Sequence, residues 1–186
     1  MVRALAFGIA AFTALSAHAA DLDGVSLPDV QTVRGTTLRL NGIGLRTFSI
    51  IGVHIYVAGL YLEQRSQNPD VILQSPGVKL LDIRFLRDVP ADDARDAWSD
   101  GFNQNCKMPC SLDPHDVQRF LSAIPPVHQG DSATLLFADR KLRVTFNGRP
   151  LGDITDQHFA EVILATFIGP VPPTPLLKRQ LLGMRD

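Results

Sequence analysis

The stretch from Leu38 to Glu63, LRLNGIGLRTFSIIGVHIYVAGLYLE, constrains this chain more than any other. Its β-branched and aromatic residues, broken near Ile51-Gly52-Val53, predict two β-strands joined by a short loop. Alternation on the first strand puts Leu38, Leu40, Gly42, Gly44, Arg46, Phe48 and Ile50 on one face, with Arg39, Asn41, Thr47 and Ser49 on the other. Arg46 therefore falls on the more apolar side, beside two glycines that leave space. An ion in apolar surroundings is costly unless it is paired and hydrogen-bonded. With a three-residue loop, Arg46 lies opposite Ala58 and is the diagonal neighbour of Tyr56. A guanidinium fork and a phenol converging in an apolar recess suit an anionic or enolate-like oxygen. A bulge that slips the register sends Arg46 to water instead, and both placements stay open at this level.

The N-terminus points to export. Arg3 precedes a short apolar core, Ala4 to Ser16, and Ala17-His18-Ala19 supplies small residues at the −3 and −1 positions of a signal-peptidase site. The apolar run is shorter than the about 20 residues of a membrane span. Residues 1–19 are thus expected to be a cleaved Sec-type signal peptide, with a single domain over residues 20–186 and a periplasmic or secreted destination. With 18 Lys+Arg against 19 Asp+Glu, interspersed and without a basic stripe, nucleic acid and stable membrane insertion are poor expectations.

Along the chain, Val25 to Val33 suits an edge strand, since Pro28 argues against a central place. Asn68-Pro69-Asp70 opens a short helix over 71–74, and residues 78–86 alternate as a strand. Pro90 starts a helix to about Asn103, with Ala94, Trp98 and Phe102 on one face and a solvated stripe of Asp92, Asp96 and Asp100. A helix over 115–124, strands over 133–138 and 142–146, a turn at Asn147-Gly148, a helix over 157–168 and a final amphipathic turn near 176–182 follow. Hairpin-like runs of strands with inserted helices predict an α+β fold, a large, mainly antiparallel sheet covered on one face by helices.

Cys106 and Cys110 (CKMPC) are the only cysteines. In an oxidising compartment such a pair is expected to form a disulfide, closing so short a loop that it chiefly pins the join between two helices. Zinc wants four ligands and the pattern places no histidine nearby, so no metal site is read here. His54, His115, His128 and His158 are scattered, which suits surface or capping roles. No nucleophile elbow, phosphate loop or dinucleotide fingerprint is present, and no cofactor is expected.

LNGIGLR followed by a strand ending AGLYLE resembles the chalcone isomerase-like family, and FLRDVPADDARDAW, VTFNGRPLGDI and FIGPVPP-x-PLLKRQLLG follow in the family's order. The likeness is to secreted bacterial chalcone-isomerase-like proteins and covers nearly all of the chain after residue 19. It implies the chalcone isomerase fold, an open-faced β-sandwich. It matches Arg46 to the family arginine that meets a ligand's oxyanion or carboxylate. Tyr56 stands where plant isomerases carry a catalytic threonine and fatty-acid-binding members a tyrosine. The isomerases' helix-borne Tyr and Asn correspond loosely to Ala94 and Gly101, which lack the chemistry. The resemblance therefore implies a non-catalytic binder of a small hydrophobic carboxylate such as a fatty acid, through Arg46 and Tyr56. The alternative is an isomerase (intramolecular lyase) in which Arg46 stabilises an oxyanion and Tyr56 shuttles a proton on a flavonoid-like or enone substrate. A third reading is a partner-binding domain with a vestigial pocket. The sequence identifies no protein partner.

Overall fold

The computed structural model describes residues 19–48 and 51–184. Apart from Ala19, the expected signal peptide lies outside the described residues, as do Ser49 and Ile50 of the hairpin loop. Nine strands and five helices are described: β1 (Ala19–Leu22), β2 (Val25–Pro28), β3 (Val30–Val33), β4 (Thr36–Phe48), β5 (Val53–Leu62), α1 (Pro69–Gln74), β6 (Lys79–Phe85), α2 (Ala91–Asn105), α3 (Pro114–Ser122), β7 (Ser132–Ala138), β8 (Lys141–Phe146), β9 (Arg149–Ile154), α4 (Gln157–Ile168) and α5 (Pro175–Leu181). Strands β3 to β9 form one antiparallel sheet in chain order, so each strand pairs with its neighbour in sequence and every helix is an excursion from that meander. The α+β architecture expected from the sequence is the one observed.

Helices cover one face of the sheet. Ala58, Leu60 and Leu62 of β5, Leu81 and Ile83 of β6, and Leu135 and Phe137 of β7 meet Phe102, Phe120, Phe159, Ile163 and Phe167 in a single apolar core. Helix α4 is buried along its whole second half, from Val162 to Ile168, as expected of a helix apolar on all sides. Its cap is local: the Asp156 carboxylate accepts from the Phe159 N–H. On the opposite face Leu38, Leu40, Tyr61 and Leu80 form a smaller cluster. The β1–β2 hairpin lies over part of that face: a side chain at Gly59 would meet Leu27 Cδ1 at 2.6 Å, and the Tyr61 hydroxyl donates to Pro28 O at 2.9 Å. Asp82 is buried on this face beside Arg84, whose Nη2 donates to Oδ2 at 2.9 Å, while Oδ1 has no partner among the described residues.

Three expectations are corrected here. The run from Val25 to Val33 is two strands, β2 and β3, belonging to different sheets and parted at Asp29, whose carbonyl accepts from Leu40 N–H. Strand β9 is absent from the sequence reading because Pro150 and Gly152 weaken its pattern; it is an edge strand, where a missing N–H is tolerated, and it is irregular opposite Val144 and Thr145. The single face assigned to β4 is broken by a bulge at Asn41. Leu40 pairs with Tyr61 and Gly42 with Leu60, so Leu38 and Leu40 serve the smaller cluster while Gly42, Gly44 and Arg46 turn to the helices.

Candidate functional site at the β4–β5–β6 row

The bulge at Asn41 is held by three side-chain hydrogen bonds to two residues. Asn41 Nδ2 donates to Ser66 O and to Leu181 O, both at 2.9 Å, and Oδ1 accepts from Ser66 N–H at 2.8 Å. Helix α5 rests directly on the glycines that follow. A Cβ at Gly42 would stand 2.0 Å from Gln180 O, and one at Gly44 3.0 Å from both Leu177 Cδ1 and Leu177 O. The Gln180 side chain accepts from Leu45 N–H at 2.9 Å. The glycines therefore leave no recess beside Arg46, contrary to the sequence expectation; they admit helix backbone.

A second irregularity, between Arg46 and Thr47, sets the register of the site. Thr47 pairs with His54 but Arg46 with Tyr56, so Arg46 stands directly across from Tyr56 and Ala58 opposes Gly44. The expected diagonal relation is corrected to a closer one. Phe85 on β6 is the next partner across, giving a row Arg46–Tyr56–Phe85 over three strands on the helix side. The Tyr56 and Phe85 rings meet edge-on at 5.9 Å, Phe167 of α4 lies 6.5 Å from Tyr56, and Trp98 of α2 stands 5.6 Å from Phe167. These rings have the offset and T-shaped arrangements that aromatic quadrupoles favour.

Arg46 is half-buried at the outer end of the row. Its Nη1 donates to the carbonyls of Thr47 and Pro173, the latter at 3.1 Å, and no carboxylate pairs with it among the described residues. The bend that supplies Pro173 is itself tied down. Asn105 Nδ2 donates to Val171 O and Oδ1 accepts from Val171 N–H, while Lys178 Nζ donates to Gly169 O at 2.8 Å. Tyr56 sits one step inward. Its hydroxyl has no hydrogen-bond partner among the described residues. Burial pushes its pKa well above the ordinary tyrosine value, outweighing the pull of the Arg46 charge. The phenol is thus a neutral donor at neutral pH. The row offers a cation, then an O–H donor, then aromatic surface.

Ala94 and Gly101, which correspond to the helix-borne polar residues of the isomerases, face packing: Ala94 lies against the core, and a Cβ at Gly101 would meet Thr166 Cγ2 at 3.0 Å. In the sequence Trp98 reads only as part of a core stripe, and Phe85, Phe167 and Asn105 do not stand out as site residues. The i+4 spacing of Phe159, Ile163 and Phe167 is the signal that marks Phe167. Two surface hollows, one between α3 and the β9 edge around Ile124 and Leu151, the other beside α1 around Ile72 and Lys79, lie away from this row.

Cys106 and Cys110 form a disulfide between α2 and α3, with 5.2 Å between their Cα atoms. The view of this pair as remote from any histidine is corrected: His158 Nε2 lies 3.0 Å from Cys110 Sγ. The other three histidines among the described residues are apart from it. His54 pairs with Asp23 at 2.8 Å, His128 is 3.7 Å from Asp88, and His115 is exposed in the first turn of α3.

A large antiparallel meander with its helices on one face is a chalcone isomerase-like architecture. The chain belongs to the chalcone isomerase-like family, whose pattern matches residues 19–183. No curated protein matches it by sequence. Among solved structures it is similar to the crystal structure of a fatty-acid binding protein of Arabidopsis thaliana. The TM-score is 0.73 at 18% identity, covering 89% of this chain and 96% of that one.

Proposed function

We propose that this protein is a non-catalytic binder of a small hydrophobic carboxylate, with a fatty acid as the type ligand. The observation that carries the reading is the Arg46–Tyr56 pair: among the described residues, a guanidinium without a carboxylate stands directly across from a half-buried phenol whose hydroxyl has no partner. A carboxylate placed between them accepts from the free N–H groups of Arg46 and from the Tyr56 hydroxyl, and charge-assisted bonds of this kind are about twice as strong as neutral ones. The apolar body of the ligand then lies along Phe85, Phe167 and Trp98. The structural likeness to a fatty-acid binding protein supports the same reading. Because Arg46 is half-buried, the charge sits at the rim and the chain runs inward, the order in which an amphiphile enters a protein with least desolvation.

The same proposal places the protein outside the cytoplasm, on the signal-like residues 1–19. Native mass spectrometry of protein purified from its own host, followed by organic extraction, tests the ligand class. A co-purifying fatty acid, lost on Arg46→Ala, is the expected result. Retention of the same ligand by Arg46→Ala would exclude this row as the site.

A further inference from the structure

We propose that Cys106, Cys110 and His158 form a redox-gated site for a thiophilic divalent cation, with Zn²⁺ as the type ion. The disulfide is its closed state.

Three elements converge at this point. Cys106 is the C-cap of α2, Cys110 ends the tight turn closed by its N–H on Lys107 O at 2.9 Å, and His158 is in the first turn of α4. Helices α2 and α4 are locked together where Gly101 meets Thr166, so the two halves of the site are held by packed frames. The donor atoms, two Sγ and one imidazole nitrogen, all lie within 4.8 Å of one another. Zinc bound at about 2.3 Å to sulfur and about 2.0–2.1 Å to imidazole nitrogen draws its ligand atoms to comparable mutual separations.

His158 has no structural task that explains it. The cap of α4 is Asp156, and among the described residues the one hydrogen-bonding contact of the exposed imidazole is Cys110. A disulfide sulfur is a weak acceptor, so this contact contributes little to the oxidised protein. Its use comes after reduction. A dithiol reductant breaks the S–S bond by exchange, supplies two electrons and two protons, and leaves as its own disulfide. The two cysteine side chains are then free to rotate apart over their fixed Cα separation. Zinc displaces both thiol protons to solvent and takes the neutral imidazole as third ligand. Exposure of His158 leaves the fourth position to water, the arrangement of an open zinc site rather than a closed structural one.

The test uses the full-length protein, oxidised or reduced by a phosphine under anaerobic conditions, titrated with Zn²⁺ against a chromophoric chelator. Co²⁺ serves as a spectroscopic reporter of thiolate coordination. The reduced protein is expected to bind one equivalent of Zn²⁺ and to give thiolate-to-cobalt charge-transfer absorption, which the oxidised protein lacks. His158→Ala should weaken Zn²⁺ binding by at least about tenfold, since even partners outside the ligand set are worth that much. Cys106→Ser/Cys110→Ser should abolish it. Equal affinity of the reduced wild type and His158→Ala, or of oxidised and reduced protein, overturns the proposal. So does unfolding of the reduced protein, followed by circular dichroism, that zinc does not reverse.

Discussion

Arg46 and Tyr56 differ in what each loses on truncation. Arg46→Ala removes the charge that meets a carboxylate, and binding of a fatty acid is expected to weaken by about 1.5–3 kcal/mol, the range for hydrogen bonds to ionised groups. Arg46→Lys restores the charge without the fork and should recover only part of this. Tyr56→Phe removes one donor and should cost about 1–2 kcal/mol while leaving the aromatic packing intact. Isothermal titration with a single fatty acid across the three variants checks the ranking. Asp82 predicts a different observable. Burial raises its pKa, with Arg84 and Gln31 pulling the other way. Its folded value stands above its unfolded one, so the native state holds the proton more tightly. Stability is full below the unfolded pKa and declines as pH rises through the folded pKa. Urea unfolding across that acidic window should show a slope of at most about 1.4 kcal/mol per pH unit from this residue. Asp82→Asn should remove that component.

At the level of elements, the fit of α5 on β4 is the least forgiving contact. A methyl at Gly42 has nowhere to go but into the backbone carbonyl of Gln180, 2.0 Å away, whereas at Gly44 part of the obstacle is the movable Leu177 side chain. Gly42→Ala is expected to destabilise by about 3 kcal/mol and Gly44→Ala by about 1–2 kcal/mol, measured by denaturant unfolding. The disulfide acts on a much shorter span, and Cys106→Ser/Cys110→Ser should still fold, losing about 2 kcal/mol or less. The β4–β5 hairpin, the helices and the sheet's covered face were legible because period-2 and period-3.6 patterns mark them directly. The site was half legible. Arg46 and Tyr56 stand out as polar groups on an apolar face, yet their pairing depends on an irregularity after Arg46 that no spacing announces. Strand β9 was hidden by Pro150 and Gly152, and the approach of His158 to Cys110 by the 48 residues between them. Contacts of that range follow from packing, which local patterns do not carry.

For the molecule as a whole, the meander has two edges among the described residues, β3 and β9, and each is poor at recruiting another strand. Strand β3 is four residues long, and β9 carries Pro150 and a break in its ladder. The proposed export predicts Ala20 as the first residue of protein recovered from outside the cytoplasm, read directly by intact-mass analysis; a retained Met1 there would refute the signal reading. The docking of α5 on the Asn41–Leu45 segment also sets a timetable. Leu45 and Gln180, joined by one hydrogen bond, are 135 residues apart. At synthesis rates of about 5–20 residues per second, the glycine face of β4 waits roughly 7–27 s for the helix that covers it. During that interval the nascent chain presents an uncovered groove and an Arg46 that has not yet met Pro173. Until α5 arrives, that stretch of β4 backbone has no cover.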